Sequence, residues 1–407
     1  PRRRDERGGN PGAMTAAGGT GGMDGEVFAQ FIDQLGRYVR TRLIPAEPEV
    51  IAADAVPPAI LAEMREMGLF GLTVPEEYGG AGMNIPQYVE TIRVLSHAMP
   101  AYRSAASINL GMVCSALKNG GTAEQKAAWL PRIAAGEIAC FGLTEPGSGS
   151  DSAAMATTAR ASGNGYVLNG AKRYITNAPQ AKLGLIMART HAQALPGNAH
   201  VSAFLVPMDT PGITVGRPDR KMGQAGSQIA DIHLDNVELP GDALLGGEEG
   251  RGFATAMQSL DNGRLSVAAA ACGYARRILS AATRYATERK AFGEPIAQFQ
   301  LVQAMLADSE AELYAAECML ADAARRADAG KAILACASAK MFASEMCGRV
   351  ADRCVQIHGG AGYLAEYEAE RFYRDARIYR IYEGTTQILQ LVIAKQMLRD
   401  FAAGAQA

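Results

Sequence analysis

The apolar pattern of this chain changes its period twice, and that change restricts the fold to helices, then a sheet, then helices again. From Val27 to about Ile133 apolar residues recur at helical spacing, as in Phe28, Phe31, Ile32 and Leu35, then Leu61, Met64, Met67 and Leu69. Between about Ala139 and Leu245 the pattern becomes short runs rich in β-branched residues and bounded by turn residues, at 165–170, 184–190, 201–206 and 229–235. After the glycine-rich stretch 246–252 the chain is alanine-rich and helical to about Phe401, with breaks at Gly330 and at Gly359-Gly360-Ala361-Gly362. The β runs stand too close together for crossover helices, so an antiparallel sheet or small barrel is expected rather than a doubly wound sheet.

The expected fold class is therefore α+β and mainly α. A tail covers 1–22, a helical domain 23–136, an antiparallel β domain 137–248 and a four-helix bundle 249–407. Three domains suit 407 residues at roughly 150 residues each. A small sheet between two bundles leaves inter-domain clefts, which favour a large flat ligand. The tail, with Arg2, Arg3 and Arg4 followed by Asp5, Glu6 and many glycines, lacks the apolar segment of a signal peptide; its basic start suits a transit peptide, and its acids and glycines do not.

Charge and composition exclude several function classes. Forty basic and 42 acidic residues give a net charge of -2, without a basic run for nucleic acid or an anionic membrane. No run approaches eighteen apolar residues, so no membrane-spanning helix is expected. The seven cysteines, Cys114, Cys140, Cys272, Cys318, Cys336, Cys347 and Cys354, lack C-x-x-C spacing, and the five histidines lack ligand spacing. No disulfide framework and no metal are expected, in keeping with a reducing compartment: a bacterial cytoplasm or, second, a mitochondrial matrix.

Three motifs carry chemistry. Ile381-Tyr382-Glu383-Gly384-Thr385-Thr386-Gln387 places one carboxylate on a Gly-Thr bend between helical segments, where it can act as a base or serve as a solvated cap. Cys140-Phe-Gly-Leu-Thr-Glu-Pro-Gly-Ser-Gly-Ser-Asp151 combines permissive backbone at Gly147 and Gly149 with the hydroxyls of Thr144, Ser148 and Ser150. It has neither the form of a P-loop nor the strand-to-helix context of a Rossmann fingerprint. Val355-Gln-Ile-His-Gly-Gly-Ala-Gly-Tyr363, followed by Glu366, Arg371 and Asp375, permits close backbone approach beside Gln356, or is simply a helix break.

Taken together these motifs resemble the acyl-CoA dehydrogenase family, over about Val27 to Phe401. G-L-T-E-P-G-S-G-S-D at 142–151 matches one family signature and Q-I-H-G-G-A-G-Y at 356–363 a second, and the α, β, α order is that family's domain order. The resemblance implies an FAD-dependent enzyme of fatty acid metabolism, a homotetramer that passes electrons to an electron-transferring flavoprotein. Glu383 would remove the α-proton of an acyl-CoA thioester while the β-hydride passes to the flavin. Some members carry the base one residue before the Arg of a D-x-x-R motif; here that motif is Asp261-Asn262-Gly263-Arg264, and Gly263 cannot serve.

Residue by residue, the resemblance implies flavin contacts at Gly142, Leu143, Thr144 and Ser150 and at Tyr174, Ile175 and Thr176, with Tyr174 where many relatives have Trp. It implies further FAD contacts across a subunit boundary at Arg289, Phe292, Gln300, Gln356, Ile357, Gly359 and Gly360, and at Thr385 and Gln387. Acyl-CoA contacts are implied at Ser150, Asp261, Arg264 and Gly384. Ala101-Tyr102-Arg103-Ser104 is similar to the Y-R-S of glutaryl-CoA dehydrogenases, so Arg103 and Ser104 either read a polar acyl terminus or provide a structural or CoA-facing cation; the glutamate those enzymes carry upstream stands as Ser96. The alternatives are an acyl-CoA oxidase, a glutaryl-CoA-type dehydrogenase and, from a different class, a non-catalytic acyl-CoA-binding protein.

Overall fold

Seven helices form the first unit of the computed structural model, which describes residues 21–330 and 332–404. They are α1 (Gly25–Tyr38), α2 (Glu47–Ala53), α3 (Pro58–Glu66), α4 (Ile85–Leu95), α5 (Pro100–Ile108), α6 (Cys114–Gly120) and α7 (Ala123–Ala134). Their starts are written locally. Asn84 and Gln87 form a capping box on α4, with Pro86 in its first turn, and Thr122 and Gln125 do the same for α7. A single π turn, Asn109–Val113, joins α5 to α6. Most of the expected tail, residues 1–20, lies outside the described residues; Gly21 does not, and its carbonyl accepts from Asn84 Nδ2 at 3.1 Å.

Seven strands follow: β1 (Ala139–Gly142), β2 (Thr158–Ser162), β3 (Gly165–Thr176), β4 (Leu183–Arg189), β5 (Val201–Pro207), β6 (Ile213–Val215) and β7 (Ile229–Pro240). They form one sheet in the order β1-β4-β2-β3-β7-β6, with β5 on the other edge of β4. Pairing is antiparallel as expected except at β4, which lies parallel to β1 along four residues and touches β2 through Thr158 and Arg189. The long loop after β1 and the β2–β3 hairpin let the chain return beside β1 in the same direction without a crossover helix. Strands β4 and β5 are buried on both faces, one against Leu117, Leu130 and Ile133 of the helices and the other against Leu168, Ile232 and Val237 of the sheet.

The last unit is a bundle of α8 (Gly252–Glu288), α9 (Gln300–Asp328), α10 (Ile333–His358) and α12 (Thr386–Ala402), with a two-stranded hairpin β8 (Lys290–Ala291) and β9 (Glu294–Pro295) and the short α11 (Glu368–Ala376) between them. The centre of α8, Leu265 to Ala275, is wholly buried between α4 and α10, which is why alanine dominates it: small side chains let three helices approach closely.

The loop 216–228, from β6 to β7, ties the three units together. Gln224 donates its backbone N–H to Asp375 Oδ1 and its side-chain amide to the Asp375 carbonyl at 3.2 Å. Arg374 donates to the Met222 carbonyl at 2.8 Å, and Gly226 N–H donates to Asp54 of the first unit at 2.7 Å. Among the described residues no helix is long and apolar enough to cross a membrane.

Candidate active site

Two successive left-handed residues make the bend between α11 and α12. Glu383 has φ 57° and Gly384 φ 92°, after which Thr385 caps α12 by accepting from Ile388 N at 3.2 Å. Gly384 adopts that conformation freely, whereas a residue with a Cβ is strained there by roughly 1–3 kcal/mol. Tertiary contacts hold the strain in place. Lys340 Nζ on α10 donates to the Gly384 carbonyl at 2.7 Å, and Thr386 Oγ1 donates to Glu345 Oε1, further along α10, at 2.7 Å. Arg380 approaches the other oxygen of Glu345 at 3.2 Å.

The strained backbone sends the Glu383 side chain toward α8. A Cβ placed on Gly263 would meet Glu383 Oε2 at 2.5 Å, so the absence of a side chain there makes the space for the carboxylate. Oε2 is buried and has no hydrogen-bond partner. Burial pushes the carboxyl up to about 7, against the opposing pull of Arg103, Arg264 and Lys340. A carboxylate with one buried, unpartnered oxygen and a value near neutrality is equipped to take a proton.

The cations around it differ in their partners. Arg264 is paired with Asp261 at 2.6 Å, as their shared motif on α8 allows. Arg103 on α5 is buried and meets only hydroxyls, Ser266 Oγ at 3.0 Å and Tyr382 Oη at 3.4 Å, and its Nε has no partner. The neighbouring Tyr88 hydroxyl, on α4, is buried without a partner as well. Gly111, in the π turn, packs beside Gly263.

The 142–151 motif reaches the same region from the sheet. Gly142 and Leu143 are buried at the end of β1, and Thr144 accepts at its carbonyl from Arg173 N at 2.8 Å. A register shift between Lys172 and Ile175 forms a bulge in β3. It turns Tyr174 out of the sheet at φ 58°, 57% exposed, with its N–H on Asp231 Oδ1 at 3.1 Å and the Arg173 guanidinium 4.9 Å from its ring centre. Ile175 is buried and Thr176 half-buried. Just beyond, Asn177 donates to the Ser104 carbonyl at 3.1 Å, which docks this strand end on the helix that carries Arg103. Beneath the motif, Lys172 and Glu145 form a buried ion pair at 2.6 Å, and Glu145 also accepts from Ala156 N and Thr157 N. Ser150 is exposed, and Gly147 and Gly149 face open space.

The remaining expected positions lie at the β8–β9 hairpin and at helix ends. Arg289 and Phe292 sit at the β8–β9 hairpin and Gln300 opens α9; all are exposed, Phe292 to 97%. At the end of α10, Gln356, Gly359 and Gly360 are exposed and Ile357 is buried. Tyr285 of α8 stacks on His358 with ring centres 4.0 Å apart, which brings that end of α10 beside the end of α8. Thr385 spends its oxygen on the helix cap, and Gln387 is exposed.

Sequence reasoning overlooked Lys340, Lys172, Glu145, Ser266 and Tyr88. A signal existed for Lys340, the lone cation of the mostly apolar stretch Ile333 to Met341, at an inward position of its helix.

Models of the acyl-CoA dehydrogenase N-terminal, middle and C-terminal domains match residues 26–137, 140–237 and 250–398. The chain is 41% identical over 366 residues to the human mitochondrial short-chain specific acyl-CoA dehydrogenase, covering 89% of this chain and 88% of that protein. A chain solved in work on the electron transferring flavoprotein of Acidaminococcus fermentans superposes with a TM-score of 0.88 at 37% identity, covering 93% of this chain and all of that one. A glutaryl-CoA dehydrogenase from Mycobacterium smegmatis, in complex with FADH2, gives a TM-score of 0.85 at 31% identity, covering 92% of this chain and 95% of that one.

Proposed function

This chain belongs to the FAD-dependent acyl-CoA dehydrogenase family, and from that premise we propose that it introduces an α,β double bond into a short acyl-CoA, with Glu383 as the base. The observation that carries this reading is the Glu383 carboxylate itself: its Oε2 buried and free of partners, raised to about 7 and aimed into the space left by Gly263.

The residues present suit FAD. Tyr174 offers an exposed aromatic plate beside Thr144, and Gly359 and Gly360 leave open space at the end of α10 where a diphosphate could approach backbone. When bound, FAD supplies the two-electron acceptor for the β-hydride. The exposed set Arg289, Phe292, Gln300 and Gln356 would contact FAD held by another copy in a tetramer, and an electron-transferring flavoprotein would collect the electrons.

The α-proton of a thioester is weakly acidic, so its removal needs a base whose affinity for the proton is high. Desolvation supplies that affinity at Glu383, and a bound acyl chain that excludes water would extend it. Proton transfer leaves Glu383 neutral, the state that its desolvation favours against the pull of the three nearby cations. Arg264 and Asp261, in the same turn of α8 as Gly263, would line the acyl-CoA path.

Arg103 favours a second reading. A buried guanidinium with only hydroxyl partners suits a carboxylate at the far end of the acyl group, as glutaryl-CoA has. Anaerobic titration of the holoenzyme with butyryl-CoA and glutaryl-CoA, followed by bleaching of the oxidised flavin, tests both: reduction by butyryl-CoA supports the short-chain reading, and a preference for glutaryl-CoA transfers the assignment to the second. Flavin bleached by neither rejects both. Glu383→Gln is expected to keep FAD and lose reduction; retained reduction would remove Glu383 from the mechanism.

A further inference from the structure

We propose that Lys340 is a positioning residue that tethers the 381–386 bend to α10 and thereby aims the Glu383 carboxylate at the reacting carbon. The proposal rests on the reading of Glu383 as the base.

Lys340 is fully buried on α10 among Cys336, Ala337, Ala339, Ala343 and Ser344. An apolar residue would fill such a position without desolvating an ammonium group. The side chain does not pair with a carboxylate, the usual way to bury a lysine. Its hydrogen bond goes to the Gly384 carbonyl at 2.7 Å. That carbonyl closes the left-handed pair Glu383-Gly384 on its C-terminal side, so holding it restrains the orientation of the turn.

The turn has a second anchor on the same helix, Thr386 to Glu345. Five residue steps of α-helix separate Lys340 from Glu345, roughly 7.5 Å along the axis, so the second half of the bend is held at two points by one rigid element. The carboxylate then faces α8, which packs extensively on α10. Freed from Lys340, Glu383 would relax from its left-handed conformation and the carboxylate would swing away from Gly263.

The ammonium also acts through space. Glu383 faces Lys340 from α10, Arg264 from α8, Arg103 from α5 and the Tyr88 hydroxyl from α4; Lys340 in turn faces Glu383, Arg264 and Glu345. Burial pulls Lys340 down to about 8, so at neutral pH it is mainly charged and favours the ionised form of Glu383.

The test uses FAD-loaded Lys340→Met and reads two quantities: amide hydrogen exchange across 382–388, and kcat and KM for the best acyl-CoA. The expected result is faster exchange confined to the bend, and kcat lower by roughly 100-fold at unchanged KM, the scale of a misplacement of about 1 Å. The rising limb of kcat/KM should also move to higher pH. Wild-type kcat overturns the proposal, as does a loss explained by reduced FAD content or by faster exchange throughout α10.

If Lys340→Met does not fold, Lys340→Arg is measured in the same way, because it keeps a charged donor. Bend protection and kcat retained together, or lost together, support the tether. Wild-type kcat with a faster-exchanging bend overturns it. Should Glu383→Gln still reduce flavin, the base assignment fails, and hydrogen exchange alone then decides whether Lys340 holds the bend.

Discussion

Gly263 and Glu383 share one small volume: a methyl group on the glycine would lie 2.5 Å from Oε2, 2.8 Å from Cδ and 2.9 Å from Oε1 of the carboxylate. Because the obstructed atoms end a flexible side chain, Gly263→Ala should displace the carboxylate at little cost to the fold. Alanine within a helix is favoured over glycine by about 1 kcal/mol, which offsets that cost. The expected variant melts no lower than the wild type and retains FAD, yet its flavin is reduced roughly 100-fold more slowly in stopped-flow mixing. Wild-type reduction would show that the carboxylate does not work from this position.

A base must be deprotonated, so kcat/KM should rise with pH through about 7, the value to which burial raises Glu383. Stability should move the other way. The folded state binds this proton more tightly than the unfolded chain, whose carboxyl titrates near 4.5, so the unfavourable burial of charge develops as pH climbs from 4.5 to about 7. Thermal melts of wild type and Glu383→Gln should coincide near about pH 4 and diverge by about pH 8, with the glutamine variant more stable. A difference that is constant with pH would contradict the raised value.

Arg103 exerts the strongest of the three pulls that hold Glu383 down. Replacing it with Met should move the rising limb of kcat/KM upward by about one pH unit. The same variant separates the substrate readings. If Arg103 reads a distal carboxylate, KM rises for glutaryl-CoA and not for butyryl-CoA; a rise for both places the cation elsewhere on the acyl-CoA path.

The buried Lys172–Glu145 pair sits under the loop that follows β1. Lys172→Met strands Glu145 as an uncompensated buried charge, a change that costs about 3–5 kcal/mol. Lowered melting temperature and faster loss of flavin absorbance on dilution are expected. Glu145→Gln added to Lys172→Met should restore part of the stability, since the stranded charge is gone. Additive losses in the double variant would mean that the two residues act separately.

Much of this architecture was legible in the chain because helices and strands write their periods locally. The bend at Glu383 was legible for the same reason: Gly-Thr-Thr beside a helix start is a short-range signal. Facing partners were not. Gly263 could be read as unable to act as a base, but its role in making room for Glu383 depends on how α8 packs against the bend, which no spacing encodes. The parallel pairing of Ala139–Gly142 with Leu183–Arg189 was hidden likewise, since alternation marks a strand without marking its neighbour or direction. Lys340 belongs to no motif; it shows itself only as a charge at an inward helical position, and its partner is a backbone carbonyl, invisible to any reading of side-chain types.

The loop 216–228 has a consequence for access. Its backbone and side-chain bonds to Asp375, Arg374 and Asp54 link the sheet to both helical units at once. Swinging the sheet away as a hinged lid would break these hydrogen bonds together, and the two buried ones between Gln224 and Asp375 would cost about 1 kcal/mol or more each. Ligand entry that keeps this frame intact would therefore proceed by side-chain movement rather than by displacement of the sheet.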